Sequence, residues 1–205
     1  MTEQPIEIGK GWGVLHVDPQ VDFMEGGALG VDGGHSVIKP INRLTRLARM
    51  RDLPVAMSAD WHPKDTKHFQ KWPVHCVAGT NGAKFGPGID TYEVEIFHKG
   101  MSREDDGYSP WEATSAKNSK RTLDGYFRRK GVRNLIVDGL ATDYCVKAGV
   151  LDALKKKTIF GRQRYNVFVV EDAIAAVNLN PEDGANAISE MKKAGAQFIP
   201  LRRIV

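Results

Sequence analysis

The feature that most constrains the fold of this chain is the alternation of short apolar, strand-like runs with longer stretches of helical periodicity. Trp12 to Val17 is rich in strand formers and runs into the polar turn Asp18-Pro19-Gln20. Residues 36–51 follow, with Val37, Ile38, Ile41, Leu44, Leu47 and Ala48 near helical spacing and Ser36 standing where a cap is wanted. Pro54 to Ala59, Val94 to His98, Asn134 to Asp138, Asn166 to Glu171 and Ala196 to Ile199 read as further strands. Thr122 to Lys130, Thr142 to Lys157 and Pro181 to Ala194 read as helices, the first and last ended by Gly131 and Gly195. Strands joined through helices need right-handed crossovers. The expected fold class is therefore α/β, a three-layer sandwich with a mainly parallel sheet flanked by helices on both faces.

A chain of 205 residues that is 41% hydrophobic suffices for one substantial core, and no repeat, low-complexity tract or linker divides it, so residues 1–205 are expected to form a single domain. Met1 to Gly11 is polar and charged, and no later run is long and apolar enough for a bilayer, so neither a secretory leader nor a membrane role is expected. Cys76 and Cys145 then read as thiols of a reducing, cytoplasmic compartment rather than as a disulfide. The formal charge of +4 is partly gathered in Arg128-Arg129-Lys130, Lys155-Lys156-Lys157 and Arg202-Arg203. With no aromatic residues interleaved, these clusters read as solvated helix ends, and no nucleic-acid partner is expected.

In parallel sheets the ligand crevice lies beyond the carboxyl ends of the strands, and Asp18, Asp60, Lys99 and the turn of residues 139–145 all follow strand ends. Cys145 falls in the first turn of an expected helix, where exposed N–H groups and the helix dipole favour a thiolate; the plainer alternative is an inert core cysteine. Asp143 has its own plain reading as an acidic residue at a helix start. Of the carboxylates Asp18 and Asp22, one beside a thiol could take its proton while Lys99 steadies the anion, although Asp18 could equally cap a turn and Lys99 be surface charge. Between Pro63 and Gly88 runs an irregular excursion of the kind compact domains reserve for function. Asp60, His62, His68 and His75 lie in or just before it, a donor set that suits zinc, iron, manganese or nickel.

The segments V-D-x-Q-x-D-F, S-x-D-W-H-P, W-P-x-H-C-V-x-G-T, H-K-G and G-x-A-T-D-x-C-V occur in that order across nearly the whole chain. Together they resemble the nicotinamidase branch of the isochorismatase-like cysteine hydrolases. The resemblance implies hydrolysis of nicotinamide to nicotinate and ammonia, or of another small amide or N-carbamoyl compound by a related enzyme. It implies a catalytic triad of Asp18, Lys99 and Cys145, and one divalent metal, zinc in the first instance, on Asp60, His62 and His75 with His68 as a further ligand. Phe23, Trp72, Tyr108 and Leu140 would bind the substrate, the amides of Ala141 and Cys145 would form an oxyanion hole, and Leu140-Ala141 would be a cis peptide. A homo-oligomer is expected on the same ground. Two features depart from the pattern: Tyr144 stands where several relatives carry His, and residues 156–165 look inserted, as a subunit contact, a lid or a tolerated surface loop.

Overall fold

The computed structural model describes residues 4–205. Eight strands form one sheet in the order β5-β4-β3-β2-β1-β6-β7-β8. Here β1 is Trp12–Val17, β2 Val55–Asp60, β3 Glu95–Lys99, β4 Thr114–Ser115, β5 Asn118–Thr122, β6 Asn134–Leu140, β7 Asn166–Ala175 and β8 Gln197–Ile199. The pairs from β3 through β8 are parallel, whereas β4 and β5 add an antiparallel edge beside β3. The helices are α1 (Ile38–Arg49), α2 (Leu123–Arg129), α3 (Lys147–Lys155) and α4 (Asp183–Lys193).

The sheet is buried on both faces, which is why its inner strands read as largely apolar runs, with a few buried polar residues such as His16, Ser58 and Asp138. On one face Val14, Met57, Ile136 and Val170 pack with Ile41, Leu44 and Ala48 of α1. On the other, Leu15, Val17, Leu135 and Val137 pack with Leu123 and Phe127 of α2, Val150 and Ala153 of α3, and Ala187 and Met191 of α4. Successive residues of β1 thus serve opposite layers, as the period of two requires. The α/β sandwich expected from the sequence is the fold. Among the described residues no helix is long and apolar enough to cross a membrane.

Local details depart from the sequence reading. Ser36 is not a helix cap: it lies inside a 3-10 turn, Gly34–Val37, and its hydroxyl donates to the Gly33 carbonyl at 2.6 Å. The expected helix over residues 142–157 is split into a π-turn, Thr142–Val146, and α3. β7 runs four residues past its expected end, across a register shift against β6. Lys157 and Gln163 bridge antiparallel, so the inserted segment is a surface hairpin with Ile159 and Phe160 exposed at its tip.

The chain leaves β1 for β2 on one side and returns to β6 on the other, a topological switch that opens a crevice at the carboxyl ends of β1 and β6. Gly139 makes this closeness possible. With φ of 113° it lies so near β1 that a Cβ would stand 2.0 Å from the Val17 carbonyl oxygen.

Candidate active site

Four strand ends deliver the polar centre. Asp18 follows β1 in the left-handed region (φ 44°), Asp60 closes β2, Lys99 closes β3, and Cys145 sits in the π-turn after β6. Asp18 and Lys99 are fully buried, and Asp60 and Cys145 nearly so. The Lys99 ammonium lies 2.9 Å from Asp18 Oδ2, 2.5 Å from Asp60 Oδ1 and 3.4 Å from Cys145 Sγ, and donates to the Gly107 carbonyl at 2.5 Å. Carboxylate oxygens of Asp18 and Asp60 and the Cys145 sulfur all lie within 4.8 Å of one another. Ser58 Oγ donates to Asp18 Oδ1 at 2.7 Å, and Gln20 pins the end of β2 by donating to the Asp60 carbonyl and accepting from its N–H. The sequence therefore brought the three expected groups together without revealing that Asp60 also shares the lysine.

Electrostatics follow from this burial. Removal from water lifts the Asp18 carboxyl above its ordinary range, with Lys99 opposing. Asp60 suffers the same desolvation, but Lys99 and His62 outweigh it and hold the group below that range. Burial works against the Lys99 charge, yet the two carboxylates keep its pKa well above normal. Burial also pushes the Cys145 thiol well up, with Lys99 opposing. Burial thus works against the thiolate that the helix start was expected to favour, and the mechanism needs a base beside the sulfur.

The histidine loop supplies the other end of the site. Donor nitrogens of His62, His68 and His75 lie within 4.8 Å of one another, and all three side chains are buried. Each ring has Nδ1 engaged: His62 with the Gly100 carbonyl at 3.1 Å, His68 with Asp106 Oδ1 at 2.9 Å, and His75 with the Pro73 carbonyl at 2.7 Å. A carbonyl or carboxylate on Nδ1 selects the Nδ1–H tautomer and leaves the Nε2 lone pair for a cation. His62 Nε2 is buried without a hydrogen-bond partner and lies 3.7 Å from Asp60 Oδ2. Burial also lowers the pKa of His68 and His75, favouring the neutral imidazole that coordination needs. The residues present thus fit a divalent metal held by three imidazoles and a carboxylate.

Between the two ends lies a cavity lined by Phe23, Leu29, Asp60, His68, Trp72, His75, Asp106, Tyr108, Ala141, Tyr144, Cys145 and Val177. Phe23, Trp72 and Tyr108, expected at the substrate, line this cavity. Leu140 does not: its side chain is fully buried in the core on the α1 face, because the next residue, Ala141, is the one that turns into the cavity. The Leu140-Ala141 peptide is cis. None of residues 156–165 lines the cavity. Tyr144 completes an aromatic wall, edge-on to Trp72 with centroids 4.9 Å apart and stacked on Tyr108 at 6.1 Å. Asp143 accepts from the Val177 and Asn178 N–H groups at 2.9 Å each, so it anchors a cavity-lining loop rather than a helix start. Asp22 accepts from the Cys76 N–H at 2.7 Å and serves the loop backbone, so that of the pair Asp18 and Asp22 it is Asp18 that stands near the thiol. Leu29, Asp106 and Val177 escaped sequence reading; only the acidic pair Asp105-Asp106 just after H-K-G could have hinted at one of them.

The family profile described as isochorismatase domain matches residues 13–202. The chain is 36% identical to the nicotinamidase of Escherichia coli (strain K12) over 92% of this chain and 94% of that one. Among solved structures it resembles the pyrazinamidase of Pyrococcus horikoshii in complex with zinc, with a TM-score of 0.79 and 32% identity over 93% of this chain and 99% of that one. It also resembles PnC1 from L. infantum in complex with nicotinate, with a TM-score of 0.81 and 26% identity over 98% of each chain. The chain belongs to the isochorismatase family.

Proposed function

We propose that this protein is a nicotinamidase, hydrolysing nicotinamide to nicotinate and ammonia through a thioester on Cys145. The observation that carries the reading is the contact of one buried thiol with a Lys99-bridged carboxylate pair, in the same aromatic-walled cavity as His68 and His75, whose donor nitrogens cluster with that of His62. The names of the relatives, a nicotinamidase and a pyrazinamidase, agree with it.

In this mechanism Asp18 takes the Cys145 proton, and Lys99, fixed by both carboxylates and the Gly107 carbonyl, steadies the charge as sulfur attacks the carboxamide carbon. The amides of Ala141 and Cys145 receive the oxyanion. Asp18 returns its proton to the departing nitrogen, the C–N bond breaks, and ammonia leaves behind a nicotinoyl thioester. Asp18 then takes a proton from water attacking that thioester, the C–S bond breaks, and the proton returns to sulfur as nicotinate forms. Phe23, Trp72, Tyr108 and Tyr144 confine the ring, so that the amide is held against Cys145. Asp60, His62, His68 and His75 would hold a divalent metal, zinc in the first instance, which would supply Lewis-acid chemistry at this end of the cavity. The free thiols Cys76 and Cys145 suit a reducing compartment such as the cytoplasm.

Ammonia release by the metal-loaded protein from nicotinamide, pyrazinamide and an N-carbamoyl amine tests the assignment. Nicotinamide is expected to have the highest kcat/KM. Release from an N-carbamoyl compound with none from nicotinamide would overturn the substrate while keeping the chemistry.

A further inference from the structure

Beyond the triad and the histidines, three consecutive residues each bind a different part of the site. Asp106 Oδ1 accepts from His68 Nδ1 at 2.9 Å, and its other oxygen accepts from Lys71 Nζ at 2.7 Å. The Gly107 carbonyl accepts from Lys99 Nζ at 2.5 Å. The Tyr108 hydroxyl accepts from Trp72 Nε1 at 2.9 Å, and its ring meets the edge of His68 with centroids 5.7 Å apart. The lacing starts further back, where the Lys67 N–H donates to the Arg103 carbonyl at 2.8 Å. The segment 103–108 and the histidine loop thus run side by side, joined at several points along their length.

Close backbone approach makes the arrangement specific. Gly107 has φ of 68°, and a Cβ there would stand 2.6 Å from Gly100 Cα. A Cβ on Gly100 would in turn stand 2.5 Å from His62 Cε1, and the Gly100 carbonyl is the acceptor for His62 Nδ1. The segment is therefore packed backbone to backbone against the residue that orients a second histidine.

We propose that Asp106, Gly107 and Tyr108 form a positioning strap: Asp106 orients His68 as a metal ligand, and the strap joins the metal site, Lys99 and the aromatic pocket into one unit. This rests on the metal reading given above. Asp106 is a positioning residue here, acting through His68. Carboxylates that receive a ligand histidine's second N–H commonly change metal affinity by about 10–100-fold when removed. If the strap acts as a unit, a change at Tyr108, which offers no donor atom to the histidine cluster, also weakens metal binding, and its effect is not independent of Asp106.

The test is zinc affinity, measured by competition with a chromophoric chelator, for the parent and for Asp106→Ala, Asp106→Asn, Tyr108→Phe and the double variant Asp106→Ala/Tyr108→Phe, each checked for a cooperative thermal transition. Asp106→Ala is expected to raise the zinc Kd about 10–100-fold. Asp106→Asn keeps an oxygen acceptor for His68 and is expected to recover much of the loss, which separates orientation from general damage to the fold. Tyr108→Phe is expected to weaken zinc several-fold, and the double variant less than the product of the two. A parent that takes up no zinc overturns the metal reading and the strap together. Zinc bound by the parent with an affinity that Asp106→Ala leaves unchanged overturns the role of Asp106 alone, and an unchanged affinity in Tyr108→Phe overturns the strap as a unit.

Discussion

The two ends of the cavity differ in where their cation comes from. At the Cys145 end the Lys99 ammonium sits between Asp18, Asp60, the Gly107 carbonyl and the thiol, so two negative charges have their counter-ion within the chain. At the histidine end each Nδ1 is tied outward, and the inward His62 Nε2 has no partner. One end carries its own cation, shared by two carboxylates, and is fit to move a proton between groups already in place. The other is a socket whose lone pairs call for a cation. Asp60 belongs to both, with one oxygen on Lys99 and the other facing His62.

Breaking the first end should have the largest consequences. Asp18→Asn leaves the cavity shape intact but removes the base, and kcat for nicotinamide is expected to fall about 10²–10⁴-fold in steady-state assays. Lys99→Met leaves two carboxylates buried without their cation, and urea denaturation should show a loss of about 3–5 kcal/mol. A stability within experimental error of the parent would mean that the carboxylates find another counter-charge. At the second end the fold should hold while the cation is lost: His62→Ala is expected to show a cooperative melt but metal content well below one per chain.

The smallest effect sharpens the comparison through pH. Protonating Asp18 removes the base, so kcat/KM falls as pH drops through its pKa. Because burial outweighs Lys99 at this carboxyl, that acid limb should lie above the ordinary carboxylate range. Ser58 donates to the ionised form and holds the pKa down, so Ser58→Ala should move the limb to still higher pH. A limb that shifts downward in this variant would reverse the assignment of Asp18 as base.

How much of this could be read from the residues alone differs from element to element. The inner strands were legible because burial on both faces makes them largely apolar, as in Val14, Leu15 and Val17 of β1, broken only by the buried His16. The hairpin of β4 and β5 was not, because Thr114–Ser115 is very short and Asn118–Thr122 is polar and largely exposed, with no alternating pattern to see. Cys145 was placed after the right strand, but the burial that opposes its thiolate was not legible, since sequence displays a helix start and not the depth of burial. Leu140 failed for a related reason: family likeness marks the turn, while the backbone decides which of two neighbours faces the cavity. Asp106 went unseen because its partner, His68, lies 38 positions away and only the fold joins them.

Cys145 is the proposed nucleophile, and the histidine socket would hold its cation without it. The direct test is ammonia release from nicotinamide by Cys145→Ala, with metal content measured on the same preparation. Release is expected to fall below detection, with metal content equal to the parent's. Turnover near the parent rate in that variant would contradict it.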